Sequence, residues 1–246
     1  MAVKNLLGAL TIGLFSLSLT AGSALAQATS APAAKAKDDK KDDKKHDHKH
    51  DEKKHDDKMK DGEKKKDGEK AKIGMAAPAF KLQDTDGKEV DLAALTKSGK
   101  IVVLEWYNPT CPYIVKHHKT NMTFNEMNKK YADKGVVFIA VCSNKAGSPG
   151  SGKETLAKSK TDFKMAYQIV MDESGEVGKS YGAKTTPHCF VIGKDGKLAY
   201  QGAIDSDSSA DTTGKTNYVA KALDELLANT SVSTPETKPY GCTVKY

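Results

Sequence analysis

The chain has 246 residues and a formal net charge of +7 at neutral pH, from 39 basic and 32 acidic side chains. All the basic side chains are lysines, whereas arginine is the residue best suited to bidentate recognition of phosphates and bases. Because the lysines are scattered among acids and form no basic patch, the composition argues against nucleic-acid binding.

Residues 1–26 have the pattern of a signal peptide. Lys4 supplies the positive charge, residues 6–19 form an apolar core, and residues 24–26 (Ala-Leu-Ala) form a small-residue cleavage site. Glycines and serines interrupt the apolar run, which is shorter than the roughly 20 residues of a transmembrane helix; an uncleaved anchor is the alternative. We therefore predict a periplasmic or secreted protein that is not membrane-embedded after signal cleavage.

Residues 27–72 are expected to form a disordered tether. They are rich in Lys, Asp and His, and they contain too few large apolar side chains to offset the entropy lost on ordering. Four histidines interleaved with acids leave two interpretations open, loose binding of a divalent metal or a plain soluble spacer. Residues 73–230 are long enough for one domain with its own core, and residues 231–246 form a C-terminal extension.

The domain alternates between strand-like and helix-like segments, which predicts an α/β fold. A run of β-branched and aromatic residues at 100–107 predicts a central strand covered on both faces. Pro112 opens a helix whose apolar stripe reaches Tyr131 and which ends near Gly135. The other expected elements are hairpin 79–82/89–92, strand 136–141, helix 153–163, strand 169–171, helix 173–181, hairpin 188–192/198–203 and helix 217–227.

Cys111 lies where the central strand is expected to run into the helix. A thiol at such a junction meets backbone amide hydrogens and the positive end of the helix dipole, and both favour the nucleophilic thiolate. We expect this sulfur to be an anion within reach of solvent; a buried structural cysteine is the alternative. Further along, Thr186 and Pro187 immediately precede a strand, where a cis peptide bond would turn the backbone toward a neighbouring site.

Together these features resemble the thioredoxin-like superfamily, and more closely its redoxin group of the alkyl hydroperoxide reductase and thiol-specific antioxidant type. The resemblance lies in the runs EWYNPTCPYIVKHH, GAKTTPHCFVIGKDGKLAYQGAID and TKPYGCTVKY and covers about residues 73–246. It implies a thioredoxin-like α/β fold with a central mixed β-sheet flanked by helices. It also implies that Cys111 is the attacking cysteine and that Pro187 is the cis-proline lying against it.

Glu105 and the three residues of the proline loop are further candidates for the site. Glu105 matches the acid that thioredoxins bury beneath the site, where desolvation raises a carboxyl pKa and suits it to proton transfer. A carboxylate paired with a lysine at the strand end is the alternative for Glu105. Thr186, Pro187 and His188 are expected to contact substrate, and His188 is also a candidate acid or base.

Three aromatic side chains near Cys111 are not expected to take part in the chemistry. Trp106 is expected in the core rather than as a wall of the site. His117 and His118 lie roughly two helical turns after Cys111, so we expect them on a solvated helix face and not as its base.

The sequence departs from both parent families. Thioredoxins carry a second cysteine three residues after the first, but Ile114 stands there. Peroxiredoxins carry a proline and a threonine or serine where Leu104 and Asn108 stand, and they use an arginine, which this chain lacks. Efficient peroxide reduction by the usual peroxiredoxin mechanism is therefore not expected.

Another cysteine must complete the pair. The resemblance carries cysteines at the positions of both Cys111 and Cys242 and so implies that these two form the pair. The polar stretch 231–238 is expected to be flexible enough to let Cys242 reach the site. A permanent disulfide that holds the C-terminal extension, hereafter the tail, is the alternative. Cys142 is expected to be an inert core thiol, and Cys189 points either toward the site or directly away from it.

We therefore predict an exported thiol-based oxidoreductase that acts on disulfides or peroxides through Cys111. A thiol or disulfide reductant protein would renew it, and no organic cofactor or metal is implied. One alternative is an antioxidant thiol peroxidase. The other is a non-enzymatic binding module with a structural disulfide, in which the tether of residues 27–72 collects metal.

Overall fold

The computed structural model describes residues 70–246; the predicted signal peptide and the tether before residue 70 lie outside the described residues. The strands are β1 (Lys81–Gln83), β2 (Glu89–Asp91), β3 (Ile101–Trp106), β4 (Val136–Cys142), β5 (Gln168–Met171), β6 (Thr185–Thr186), β7 (Cys189–Ile192), β8 (Leu198–Gly202) and β9 (Cys242–Thr243). The helices are α1 (Leu92–Lys97), α2 (Pro112–Val115), α3 (Thr123–Tyr131), α4 (Lys153–Asp162), α5 (Glu176–Tyr181) and α6 (Tyr218–Leu227). A π-helical turn (Lys116–Thr120) precedes α3 and a 3-10 turn (Ala132–Lys134) follows it.

A five-stranded sheet lies at the centre, in the order β5-β4-β3-β7-β8. Strand β3 pairs in parallel with β4 and antiparallel with β7, so the sheet is mixed. Every residue of β3 is buried, which confirms the predicted central strand. None of the helices between residues 70 and 246 has both the length and the apolar character needed to span a bilayer.

The two faces of the sheet carry separate apolar cores, because successive side chains of a strand point to opposite faces. Val103 and Tyr107 pack with residues of α2, α3 and α6 on one face. Leu104 and Trp106 pack on the other face, with residues of α1 and α5. Trp106 is fully buried in this core, as predicted, and its indole N–H donates to the hydroxyl of Ser143 at 3.0 Å.

The structure adds three elements that were not predicted, α1, β6 and β9, and it changes two that were. The helix that begins at Pro112 is broken, because the π-helical turn and Met122, which has a left-handed φ of 53°, separate α2 from α3. The hairpin is shorter than expected because α1 begins at Leu92. Asp91 starts that helix by accepting the backbone N–H of Ala94 at 3.1 Å.

The C-terminal extension, which was predicted to reach the Cys111 site, is docked along the domain. The backbone N–H of Gln201 in β8 donates to the carbonyl of Pro235 at 2.9 Å, and that of Thr237 donates back to Gln201 at 3.1 Å. Farther along, β9 pairs antiparallel with β6. The extension therefore runs from the edge of the sheet to the loop that precedes β7.

Candidate active site

Cys111 lies at the predicted junction, between the end of β3 and the first turn of α2. Asn108 shapes the connecting turn. Its side-chain oxygen accepts the backbone N–H and the hydroxyl of Thr110, and its carbonyl accepts the N–H of Cys111 at 3.0 Å. Pro112 then takes the first helical position, where a backbone N–H has no partner within the helix. This local chemistry places the sulfur at one end of the central strand.

The cis-proline loop covers that sulfur. The Thr186–Pro187 peptide bond is cis, as predicted, and the carbonyl oxygen of Thr186 lies 2.9 Å from Cys111 Sγ. A carbonyl oxygen accepts from a thiol and not from a thiolate, so this contact belongs to the protonated form. Cys111 is only 2% exposed, which makes the expectation of a solvent-accessible sulfur wrong for this arrangement of the tail.

Cys242 is the cysteine that reaches Cys111. Its Sγ lies 2.9 Å from Cys111 Sγ, and both residues are free thiols. The pairing of β9 with β6 sets Cys242 opposite Thr186. Gly241 allows the close approach, because a Cβ there would lie 2.2 Å from the Thr186 carbonyl oxygen and its φ is +133°. A disulfide of about 2.05 Å between the two sulfurs therefore needs only a small shift.

The Cys242 thiol is harder to ionise than an ordinary cysteine. Burial, together with the hydrogen bond and charge of the neighbouring Cys111 sulfur, raises the pKa of Cys242 to about 11. Cys242 therefore keeps its proton at neutral pH while the two thiols are together.

Glu105 lies in β3 on the Cys111 face of the sheet and is buried, with a histidine as its partner rather than the lysine considered from the sequence. Both carboxylate oxygens lie 3.0 Å from His118 Nε2. Burial raises the pKa of the Glu105 carboxyl, although His118 opposes the shift. The His118 ring stacks on Phe124 at 5.0 Å, and its Nδ1 has no hydrogen-bond partner within residues 70–246.

The expectation of a solvated face for His117 and His118 is wrong, because both are fully buried. They lie in the π-helical turn, whose wider winding abolishes the 3.6-residue spacing on which that expectation depended. His117 Nε2 lies 3.0 Å from the hydroxyl of Tyr240, and Nδ1 lies 3.2 Å from that of Thr123. Burial lowers the pKa of His117 to about 4, so the ring is neutral at physiological pH.

The structure does not bring His188 to Cys111. Its ring packs against Phe190 at 4.4 Å, and its Nδ1 accepts the backbone N–H of Lys184 at 3.3 Å. Phe190 belongs to the core on the opposite face from Cys111. Burial lowers the pKa of His188 to about 3, which leaves it neutral and poorly suited to act as a base.

The other two cysteines are buried. Burial raises the pKa of Cys142 to about 11, and its Sγ lies 3.8 Å from the Gly150 carbonyl, which agrees with the predicted core thiol. Cys189 lies in the same core cluster as Cys111, which answers the question of its direction. Its thiol is inaccessible, and burial raises its pKa well above the ordinary value.

Sequence reasoning missed the residues that hold the tail beside the site. Tyr240 touches both His117 and Asp205 through its hydroxyl, yet nothing in the local pattern marked it except its place two residues before Cys242. Within the described part of the chain, no group of three or more His, Cys, Asp or Glu side chains is arranged to hold a metal. The four tether histidines lie outside the described residues.

Comparison with known proteins gives a consistent result. The family model described as Redoxin matches residues 72–218. Thiol-disulfide oxidoreductase ResA of Bacillus thuringiensis is 32% identical over 127 residues, which cover 51% of this chain and 66% of ResA. The chain therefore spans slightly less than two thirds of that relative.

Two solved structures are similar over most of the described residues. An uncharacterized conserved protein from Geobacillus kaustophilus is 28% identical, with a TM-score of 0.65 and coverage of 73% of this chain and 94% of the other. A hypothetical protein from Sinorhizobium meliloti is 24% identical, with a TM-score of 0.65 and coverage of 73% and 97%. The second likeness concerns the fold alone.

Proposed function

The chain belongs to the redoxin family and has its thioredoxin-like fold, and on that premise we propose that it is a thiol-disulfide oxidoreductase with Cys111 and Cys242 as its redox pair. The observation that carries this proposal is the 2.9 Å separation of the two sulfurs beside the cis-proline loop. The similarity to ResA supports the same reaction class.

The proposed reaction has two steps. The Cys111 thiolate attacks one sulfur of a substrate disulfide; the substrate S–S bond breaks, one substrate thiolate leaves, and a mixed disulfide forms at Cys111. Cys242 then loses its proton and attacks the Cys111 sulfur, which releases the second substrate thiolate and forms the Cys111–Cys242 bond. The substrate gains two electrons, and an external dithiol reductant protein restores the pair by the reverse exchange.

Substrate entry in this proposal requires movement of the tail, because Cys242 and Thr186 cover the Cys111 sulfur. Once the tail moves, the backbone of Thr186 and Pro187 is available to contact a substrate beside that sulfur. Glu105 is the proposed proton acceptor of the site, since its raised pKa moves its titration toward neutral pH. His188 has no part in this scheme, because it packs on the other face of the sheet.

Disulfides are favoured over peroxides as substrates. Leu104 and Asn108 occupy positions where peroxiredoxins need other residues, and the chain lacks the arginine that polarises a peroxide. We further propose that the protein works in the periplasm or outside the cell, because residues 1–26 read as a signal peptide and disulfide exchange suits an oxidising compartment.

The test uses residues 27–246 as wild type and as Cys111→Ser, Cys242→Ser and Cys142→Ser variants, with glutathione disulfide as substrate. We expect Cys111→Ser to abolish exchange and Cys242→Ser to accumulate a glutathione adduct at Cys111, detected by mass spectrometry. Cys142→Ser is the matched control and should exchange at the wild-type rate. Wild-type exchange in Cys111→Ser would refute the assignment of the nucleophile.

The same proteins separate the alternatives. Peroxide consumption far above that of a free thiol, with sulfenic acid at Cys111, would indicate a thiol peroxidase. A Cys111–Cys242 bond that resists mild reduction, in a protein without turnover, would indicate a structural disulfide in a binding module.

A further inference from the structure

Tyr240 lies two residues before Cys242 in the C-terminal extension and makes two polar contacts through its hydroxyl. Its hydroxyl donates to Asp205 Oδ1 at 2.5 Å and lies 3.0 Å from His117 Nε2. Asp205 is itself fixed, since its carboxylate accepts the backbone N–H groups of Asp207 at 3.0 Å and Gly214 at 2.8 Å. The phenol is therefore tied to an acceptor that cannot easily move.

These contacts form a directional chain. The Thr123 hydroxyl donates to His117 Nδ1, the His117 Nε2–H donates to the Tyr240 oxygen, and the Tyr240 O–H donates to Asp205. Each group uses its donor and acceptor once, which selects the Nε2–H tautomer of His117. The low pKa of His117, about 4, agrees with this neutral ring.

The ring of Tyr240 is also held. Lys116 Nζ lies 5.0 Å from the ring centroid, and carbonyl oxygens of Asp207 and Ser209 fix that ammonium at 2.8 and 2.9 Å. The Tyr113 ring also packs against Tyr240, with 5.8 Å between the two ring centroids. Tyr113, Lys116 and His117 all belong to the helical segment that Cys111 begins. Tyr240 thus ties the tail to the same segment that carries the attacking sulfur.

We propose that Tyr240 is a positioning residue that sets how often Cys242 meets the Cys111 sulfur. The β6–β9 pairing spans two residues on each strand, and backbone hydrogen bonds from Val244 to Lys184 and from Lys145 to Lys245 hold only the chain that follows Cys242. Tyr240, two residues before Cys242, supplies the additional restraint from the Cys111 side. Holding two reacting groups together raises their effective concentration without a change in their chemistry. This inference rests on the proposed function of the pair.

The test follows two successive releases from an aromatic disulfide whose thiolate absorbs visible light. Attack by Cys111 releases the first thiolate and leaves a mixed disulfide. Attack by Cys242 on the Cys111 sulfur releases the second thiolate and closes the protein disulfide. In Tyr240→Phe we expect the second release to slow by about tenfold or more, because a hydrogen bond to a charged acceptor contributes on that order. The first release should not slow. The Cys111–Cys242 disulfide should be correspondingly less favoured in a glutathione buffer.

Tyr131→Phe is the matched control. The Tyr131 hydroxyl also donates to a carboxylate, Asp224 at 2.9 Å, but this contact lies between α3 and α6. The control should lose a comparable bond and keep the wild-type rate of second release. An equal second release in wild type, Tyr240→Phe and Tyr131→Phe would overturn the inference while leaving the redox pair intact. No second release in wild type would instead overturn the proposed function.

Discussion

Replacing His117 with glutamine is expected to make the stability of the protein less sensitive to acid. The glutamine amide retains a donor toward Tyr240 and has no proton to gain. In the wild type, burial lowers the pKa of His117 to about 4, against an ordinary value of 6.5. Between pH 6.5 and about pH 4, His117 binds a proton in the unfolded chain but not in the folded protein. The free energy of unfolding therefore falls with decreasing pH in this window.

The pKa values give the size of the effect. Relative to neutral pH, His117 alone lowers the free energy of unfolding by about 2 kcal/mol at pH 5 and by about 3 kcal/mol at pH 4. Glutamine does not titrate in this range, so the free energy of unfolding of His117→Gln should not include this decrease. Relative to the wild type, the variant should therefore gain stability by the same amounts as the pH falls. His188, whose pKa is also lowered, to about 3, is present in both proteins and cancels in the comparison.

Urea denaturation of both proteins in the reduced state, at several values between pH 4 and pH 8, measures this difference. Fluorescence of the single tryptophan can report unfolding, because Trp106 is completely buried. A stability difference that stays constant across the whole pH range would show that His117 is not held neutral by burial, and it would refute the reasoning.

Three further expectations concern the site. Cys111→Ala should lower the pKa of Cys242 below its value of about 11, because the neighbouring sulfur that helps to raise it is gone; the pH dependence of Cys242 alkylation measures this. Gly241→Ala should lift the tail from Thr186 and speed alkylation of Cys111 by about tenfold, since a local opening easier by about 1.4 kcal/mol has that effect. Glu105→Gln should flatten the pH dependence of the exchange rate, because burial raises the pKa of the carboxyl that it removes.

A control variant is available for Gly241→Ala, and each of the three expectations has an outcome that would contradict it. Gly74→Ala has a similarly unfavourable positive φ of 79° but open space around the new Cβ, so it should leave Cys111 as protected as in the wild type. An unchanged alkylation rate in Gly241→Ala would mean that the tail tolerates the added methyl group. An unaltered Cys242 titration in Cys111→Ala would contradict the effect of the Cys111 sulfur on Cys242. An unaltered pH profile in Glu105→Gln would contradict the proposed role of Glu105 as proton acceptor.

Much of the fold was predictable because its signals are local. The continuous apolar run of β3 predicted a strand covered on both faces, and all its residues are buried. Pro112 marked a helix start, and the Thr186–Pro187 bond before a strand is cis. The break at the π-helical turn was not predictable from an apolar stripe, because the stripe on either side of it suits a continuous helix equally well.

The candidate site, too, was only partly predictable from the sequence. The position of Cys111 between strand and helix follows from residues 100–112, since neighbours in the chain determine it. The histidine partner of Glu105 did not follow, because a buried carboxylate can find its partner on any element that packs over it. Periodicity also gave the wrong exposure for His117, since it assumed a regular helix.

The sequence by itself determined the order of the elements, the strand-to-helix junction at Cys111 and the proline loop, because each depends on backbone preferences within a few residues. The family resemblance already suggested Cys242 as the partner of Cys111, but only the tertiary structure brought their sulfurs within 2.9 Å across 131 residues and showed that the tail covers the attacking sulfur. Such contacts depend on which surfaces bury each other, and no local pattern of residues carries that information.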